Sequence, residues 1–325
     1  MQLGSDTAQR ALQAVRAAAQ VCQAVQRDLV TAQTLEKRDK SPVTIADFAS
    51  QAVVCAMLAD VGIPVVGEED AAMLRDPANA AQLDAITARA SDAAGQTLSP
   101  DRIVALIDQA GQAEAAGTFW TLDPIDGTKG FLRGEQYAIA LALIENGVLQ
   151  MGFLACPNLE GPDGQIGAVF AAVRGHGSSV LPLAGEALHG QQIVKVNPSQ
   201  ELKNARFCES VESGHSDQSQ SARIATRLGI TQPPVRMDSQ AKYAAVASGQ
   251  ASIYLRLPTR ADYREKIWDH AAGALLIEQA GGRVTDIDGT PLDFTHGREL
   301  THNRGIVATN GSIHDAVLEA VRLEL

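Results

Sequence analysis

The run Phe119–Phe131, FWTLDPIDGTKGF, sets two carboxylates, Asp123 and Asp126, around Pro124 and Ile125 where an apolar, β-prone stretch ends. Two acids at a strand end are poor choices for a buried edge unless a cation balances them. Mg²⁺ fits that demand, because it takes a few carboxylates and leaves its other positions to water and phosphate oxygens. Thr128 adds a hydroxyl within reach of a metal-bound water. The chemistry this loop could do is metal-dependent hydrolysis of a phosphate ester. Taken alone, Asp-Pro and Asp-Gly pairs are also ordinary turn chemistry, so both acids read as turn and cap residues too.

Further carboxylates shift that balance. Asp47, in SPVTIAD, is expected at the opening of a helix, where Thr44-x-x-Asp47 resembles a capping box, although such boxes prefer Glu or Gln at the last position. Glu68 follows a short apolar stretch, Val65-Val66-Gly67, and a charge at a strand end is common on surfaces. Asp269 precedes a helical pattern stopped by Gly281-Gly282 and could be its N-cap. Each has a bland alternative. Five acids that all sit at element ends are harder to set aside.

These residues need elements to hold them. Helical spacing predicts a first helix over about 5–31 and a second from near Thr44 to about Asp60. A short strand at 64–67 leads into Glu68-Glu69-Asp70. Residues 71–116, Ala-rich and polar, read as one or two helices in a peripheral insertion. After Phe119–Leu122, a strand that Pro124 should turn, a hairpin is expected, with Tyr137–Ile144 and Val148–Ala155 joined at Glu145-Asn146-Gly147. Another strand follows at Ala168–Val173. Beyond about residue 190, strand patterns at 207–211, 235–237, 252–257, 283–285 and 305–309 alternate with helical ones at 217–228, 240–248, 269–280 and 312–323. This predicts an α/β protein with an α+β first half (1–185, carrying the metal-binding loop and the 71–116 insertion) and an α/β second half (186–325).

Composition narrows the function. The chain has 325 residues, 45% apolar and 20% charged, which suits a globular protein with an ample core. A net charge of −11 argues against a nucleic-acid polymer as partner. Cys22, Cys55, Cys156 and Cys208 are scattered, without a C-x-x-C pair, so the expectation is a reducing cytoplasm with neither a disulfide framework nor a zinc site. No apolar run reads as long enough to span a membrane. Arg10, Arg16 and Arg27 superficially suggest a transit peptide, but Leu12, Val15, Ala19, Val21, Val25 and Leu29 repeat as in a mature amphipathic helix.

LDPIDGTKGF, VVGEED, SPVTIADFASQ and KIWDHAAG, in that setting, resemble the inositol-monophosphatase superfamily of lithium-sensitive, Mg²⁺-dependent phosphatases. SVESGHS, MDSQAKY, YLRLP and EKIWDHAAGALLIEQAGG look like its 3′(2′),5′-bisphosphate nucleotidases. The likeness is strong from about residue 36 to 310 and only generic over the first helix and the 71–116 stretch. It implies a layered α/β/α/β/α sandwich with the site between the halves. It also implies metal ligands at Glu68, Asp123, Asp126, Asp269 and the Ile125 carbonyl, binding two or three Mg²⁺. Asp47 and Thr128 match the family's water-activating pair. His215, Ser239, Lys242 and Arg256 match positions that hold the nucleotide, with Thr128 and Asp269 also facing substrate.

The implied reaction removes the 3′-phosphate of 3′-phosphoadenosine 5′-phosphate or of its sulfated relative, a step in sulfur metabolism, by a monomer acting on a small phosphorylated nucleotide. Arg256 would offer the 5′-phosphate a planar fork, Lys242 a point charge, and Ser239 the free N–H groups of a helix start. Without the resemblance these read as a strand-edge charge, a solvated helix face and an N-cap, and His215 as a loop histidine. Rival readings are an inositol (poly)phosphate phosphatase with the same metal site, and a nucleotide sensor. Asp47 and Thr128 argue against the sensor, since binding needs no water-activating pair.

Overall fold

The computed structural model describes residues 2–32, 41–211, 218–258, 260 and 263–325. Two helices open the chain, α1 (Asp6–Ala32) and α2 (Ser41–Leu58). Along α1, Ala8, Ala11, Leu12, Val15, Ala18 and Cys22 recur at three- and four-residue spacing and are fully buried. The start of α2 departs from expectation: it begins at Ser41, not near Thr44. Pro42 stands in the first turn, where its fixed φ suits a helix and its missing N–H costs nothing. Asp47 therefore lies in the second turn, and the capping-box reading of Thr44 and Asp47 does not hold.

Strand β1 (Val65–Gly67) runs parallel to β2 (Thr118–Asp126). Between them lie α3 (Ala80–Ala94) and α4 (Pro100–Gln112), the latter capped by Ser99 Oγ, which accepts from the Arg102 N–H at 3.2 Å. These helices are not peripheral. Ile86, Ala90, Ile103 and Ile107 are buried in one core with α1 and α2; the high alanine content of α3 disguised its narrow apolar face.

Pro124 does not end β2 in a turn. The strand continues to Asp126, with a register shift against β3 (Ala138–Glu145): Asp123 pairs with Ala140 and Asp126 with Ala138. One extra residue is thus accommodated, a bulge where proline's missing N–H is tolerated. Gly127, at φ +87°, then turns the chain into a short helix that the sequence patterns did not indicate, α5 (Thr128–Arg133).

The hairpin is where it was expected. Glu145 pairs with Val148 of β4 (Val148–Glu160), and Asn146 and Gly147 both take positive φ (50° and 79°), as a type I′ turn requires. Strands β5 (Ile166–Val173), β6 (Ser178–Pro182) and β7 (Gln192–Val194) complete a seven-stranded sheet in sequential order, antiparallel after the β1–β2 pair. The second half alternates: β8 (Phe207–Glu209), α6 (Gln218–Arg227), β9 (Val235–Arg236), α7 (Ala241–Ala247), β10 (Ile253–Arg256), α8 (Ala271–Gln279), β11 (Arg283–Thr285), β12 (Ile306–Thr309) and α9 (His314–Arg322). Its five-stranded sheet has the order β11-β12-β10-β8-β9.

Both faces of the large sheet are buried, and the alternation on β3 shows how. Ile139, Leu141 and Leu143 pack toward α1 and α2, whereas Ala138, Ala140 and Ala142 join the core of α7 and α8. Small residues on that inner face let α8 lie close to the sheet. The outer face of the second sheet packs Phe207, Leu255 and Val307 against Ile224 of α6 and Val317 of α9. The result is five layers, α/β/α/β/α. By length and apolarity alone Thr44–Val61 would suffice to cross a bilayer, contrary to the sequence reading, but over half of that segment is buried, with α2 packed against α1, α3, α4 and β2.

Helix α8 approaches the sheet closely at Gly152 of β4, where a Cβ would lie 2.8 Å from the Ala272 carbonyl oxygen and 3.1 Å from its Cα. Both neighbours are backbone, so the helix itself must move. Gly152→Ala should lower stability by about 1–3 kcal/mol, read as a lower urea midpoint at unchanged m-value. An unchanged midpoint would mean that α8 does not depend on this contact.

Candidate active site

Four of the predicted acids converge. Glu68 follows the end of β1, Asp123 and Asp126 flank the bulge in β2, and Asp269 ends the turn Ile267–Asp269 before α8. Because β1 and β2 are parallel with Gly67 opposite Leu122, Glu68 emerges beside Asp123, and the two carboxyls are close enough to share a proton. All four, with Ile125 and Thr128, line one cleft of about 210 Å³. Asp47 stands behind this wall, next to Glu68 and Glu69.

Neighbouring elements fix these positions. On the face of α2 that carries Asp47, Ser50 donates to the Pro124 carbonyl at 3.0 Å. Gln51 donates to the Glu69 carbonyl at 2.7 Å and accepts from the Glu69 N–H at 3.1 Å. One helix face, at i, i+3 and i+4, thus holds both acidic strand ends. From the other side the Gln240 N–H donates to Asp126 Oδ2 at 2.5 Å. The Gln240 side chain donates to the Trp268 carbonyl at 2.8 Å and accepts from the Gly273 N–H at 3.2 Å, bracketing Asp269. Arg298 donates to the Gly67 carbonyl and lies over the Trp268 ring, 5.0 Å from its centroid.

The electrostatics all point one way. Burial, then mutual repulsion, pushes Asp123 and Asp269 well above the usual carboxylate range. Glu68 is raised by burial and by Asp126; Asp126 is raised by burial, with Lys242 opposing. Asp47 rises through burial, Glu69 and Glu68, and Glu69 itself is pushed up to about 7 by burial, Glu68 and Asp70. So many acids in one place need a cation to stay ionised together. Four carboxylates and the Ile125 carbonyl are all hard oxygen donors, and they suit a hard divalent ion such as Mg²⁺.

A second, contiguous cleft of about 320 Å³ shares Asp126, Thr128, Ser239, Lys242 and Arg256 with the first. Lys242 is buried, donates to the Met237 carbonyl at 3.5 Å and lies 5.4 Å from the Tyr254 ring centroid; burial lowers its pKa. Arg256 donates from Nε to Glu265 at 2.9 Å. Glu265 in turn meets His270 Nε2 at 3.1 Å, and His270 Nδ1 meets the Tyr243 hydroxyl at 2.8 Å. Burial alone would raise Glu265, but His270 and Arg256 bring it down to about 2. Glu265, Asp269 and His270 are close enough to suggest a metal set of their own. However, both Glu265 oxygens and both His270 nitrogens are already engaged.

Ser239 differs from its expected role. Its φ is +67°, and its hydroxyl takes the Ala241 N–H at 3.1 Å, while the Gln240 N–H goes to Asp126. These N–H groups at the start of α7 are committed internally, so the helix-start anion reading fails. His215 lies outside the described residues. Sequence reasoning missed Gln51, Gln240, Glu265, His270 and Arg298. The one available signal was the density of ionisable residues from Tyr263 to His270; the glutamines carry none. Size does not select the site, since a larger cavity of about 510 Å³ lies between α1, α2 and α4, lined by Asp6, Gln13, Asp60 and Arg102 among others.

The chain is similar to known proteins over almost its whole length. It is 46% identical to a 3′(2′),5′-bisphosphate nucleotidase of Schizosaccharomyces pombe, covering 96% of this chain and 94% of that one. It is 43% identical to the enzyme of the same name from Emericella nidulans, covering 89% and 90%. Among solved structures, an inositol monophosphatase from Anabaena superposes with a TM-score of 0.63 at 23% identity, over 97% of this chain and 94% of that one. The suhB extragenic suppressor protein of Bartonella henselae gives 0.64 at 18%, over 98% and 100%. At those identities the structures speak for the fold alone. The model of the inositol monophosphatase family matches residues 5–324, and with relatives this similar over this length, the chain belongs to that family.

Proposed function

We propose that this chain is a Mg²⁺-dependent phosphatase that removes the 3′-phosphate of 3′-phosphoadenosine 5′-phosphate, yielding AMP and phosphate, and that it also accepts 3′-phosphoadenylyl sulfate. The observation that carries this reading is a cleft lined by four carboxylates and continuous, past Lys242 and Arg256, with a second cleft that of those acids only Asp126 enters. A substrate with two phosphates on one small nucleoside matches that polarity. The names of the similar nucleotidases support the same substrate class.

Glu68, Asp123, Asp126, Asp269 and the Ile125 carbonyl would hold the ions. Bound there, Mg²⁺ would lower the pKa of the attacking water and offset charge on the phosphoryl group and the leaving oxygen. Thr128 would orient that water through its hydroxyl. A neutral threonine cannot act as a base unaided, so the proton passes on to Asp47. Burial and the adjacent acids give Asp47 a raised proton affinity, as an acceptor needs. At the other end Arg256, braced by Glu265, would present its guanidinium to the 5′-phosphate, with Lys242 adding charge.

The test is phosphate release from the bisphosphate nucleotide and from inositol 1-phosphate, with and without Mg²⁺. Turnover should need the metal and favour the nucleotide; preference for the inositol ester would assign the chain to the rival substrate. Asp126→Asn should nearly abolish turnover while the protein still folds, because an amide oxygen can keep the Gln240 N–H bond but not the charge. Turnover close to wild type at ordinary Mg²⁺ would remove Asp126 from the metal site.

Thr128→Ala should lose about 10²- to 10⁴-fold in kcat with nucleotide affinity little changed. A loss confined to KM would contradict its role on the water. Arg256→Ala should lower kcat/KM for the bisphosphate nucleotide about ten- to a hundred-fold more than for inositol 1-phosphate, the cost of about 1.5–3 kcal/mol for a charge-assisted contact. The ratio matters because Arg256 also braces Glu265, and that damage falls on both substrates alike. An equal loss on both would make Arg256 purely structural.

A further inference from the structure

Apart from the acidic cleft, the segment between β11 and β12 gathers a different donor set. His296 Nε2 and His302 Nδ1 both point at one oxygen, Asp293 Oδ2, at 3.1 and 3.3 Å. The two rings lie face to edge-tilted against each other, with centroids 3.8 Å apart and planes inclined at 52°. All three ligand atoms fall within 4.8 Å of one another. We infer that Asp293, His296 and His302 form a second cation site, selective for a divalent transition metal of the zinc and cobalt type.

The distances match such an ion. Ligand atoms held about 2.0–2.1 Å from a tetrahedral metal stand about 3.3 Å from each other. The two nitrogen–oxygen separations are already close to that edge length, so little movement is needed. Each neutral imidazole can turn its lone pair inward by keeping its proton on the other ring nitrogen. The other Asp293 oxygen accepts from the Thr295 hydroxyl and N–H at 2.6 and 3.0 Å, which fixes the carboxylate and leaves Oδ2 turned to the histidines. Two imidazoles and one carboxylate suit transition metals, whereas Mg²⁺ favours all-oxygen surroundings.

The backbone under these ligands is anchored. Phe294, Leu300 and Asn303 are buried, the Asn303 side chain accepts from the Asp293 N–H at 2.8 Å, and the Leu300 N–H donates to the Glu265 carbonyl at 2.9 Å. The imidazoles themselves are half-exposed, so an ion can enter and water can fill the remaining position. The site differs from the acidic cleft in residues, in donor type and in position, and it does not depend on the proposed reaction.

The experiment is Co²⁺ titration of the intact chain in excess Mg²⁺, which keeps the carboxylate cleft filled, followed by visible absorption and equilibrium dialysis at pH 7.5. One Co²⁺ per chain is expected, with visible bands that Zn²⁺ displaces. The double variant His296→Gln, His302→Gln should lose that one equivalent and its bands while keeping turnover within about twofold of wild type, since neither residue lies in the cleft. Should the double variant fold poorly, His302→Gln alone, the more exposed of the two, should still weaken Co²⁺ binding at least tenfold. Co²⁺ bound equally by wild type and variants, or no Co²⁺ bound once Mg²⁺ is in excess, would overturn the proposal.

Discussion

Mutual repulsion among clustered acids is the constraint on which the rest of this structure depends. Glu68, Asp123, Asp126 and Asp269 come from three separate elements and line one cleft, where Asp123 is buried and Asp126 and Asp269 are half-buried. In isolation such a cluster would protonate or spring apart. It persists because each carboxylate is attached to backbone that is held for other reasons. The parallel β1–β2 pair sets Glu68 beside Asp123 by register, not by attraction. The bulge at Pro124 and Ile125 sets Asp126 off from Asp123. Two large cores, one on either face of the seven-stranded sheet, keep that frame rigid. A cation placed there would relieve that repulsion, at the cost of part of its own hydration.

Polar side chains carry this rigidity the last few ångströms. Ser50 and Gln51 fasten both acidic strand ends to α2, and Gln240 fastens Asp126 to the turn that bears Asp269. These neutral contacts are well chosen. A cation in their place would neutralise part of the cleft's charge. A neutral amide fixes geometry while leaving the net charge of the cleft intact. The nearby cations oppose the acids from a distance, Lys242 and Arg256 acting on Asp126 and Lys266 and Arg298 on Glu68.

Most of the fold was legible in the sequence where a local rule decided the outcome. Asn146-Gly147 had to be a type I′ turn, and the strands and helices after residue 200 follow their hydrophobic periods to within a few residues. What stayed hidden was decided by tertiary context. Pro124 normally ends a strand, but here the sheet absorbs it as a bulge beside a site. Helix α3 buries only Ile86 and Ala90, too thin a face for periodicity to show, whereas Ile103, Leu106, Ile107 and Ala110 of α4 do follow the helical period. The site was legible in its acids, because charges at element ends are conspicuous. It was not legible in Gln51 and Gln240, whose contribution depends on partners far away in sequence, nor in Glu265 and His270, whose ordering becomes visible only once Arg256 and Tyr243 stand on either side.

That chain, Arg256–Glu265–His270–Tyr243, explains why the two ends of the cleft cannot be treated as independent. Arg256 bonds Glu265 through Nε, meets the Tyr263 side chain and lines the cleft. Glu265 is held ionised by Arg256 and His270 together, and His270 is the residue directly after Asp269. An anion held at Arg256, as proposed, would therefore act on the same network that orients the acidic turn. A flexible lysine could supply charge at this place, but it could not brace a glutamate and face a phosphate at once, because that requires the fixed fork of an arginine.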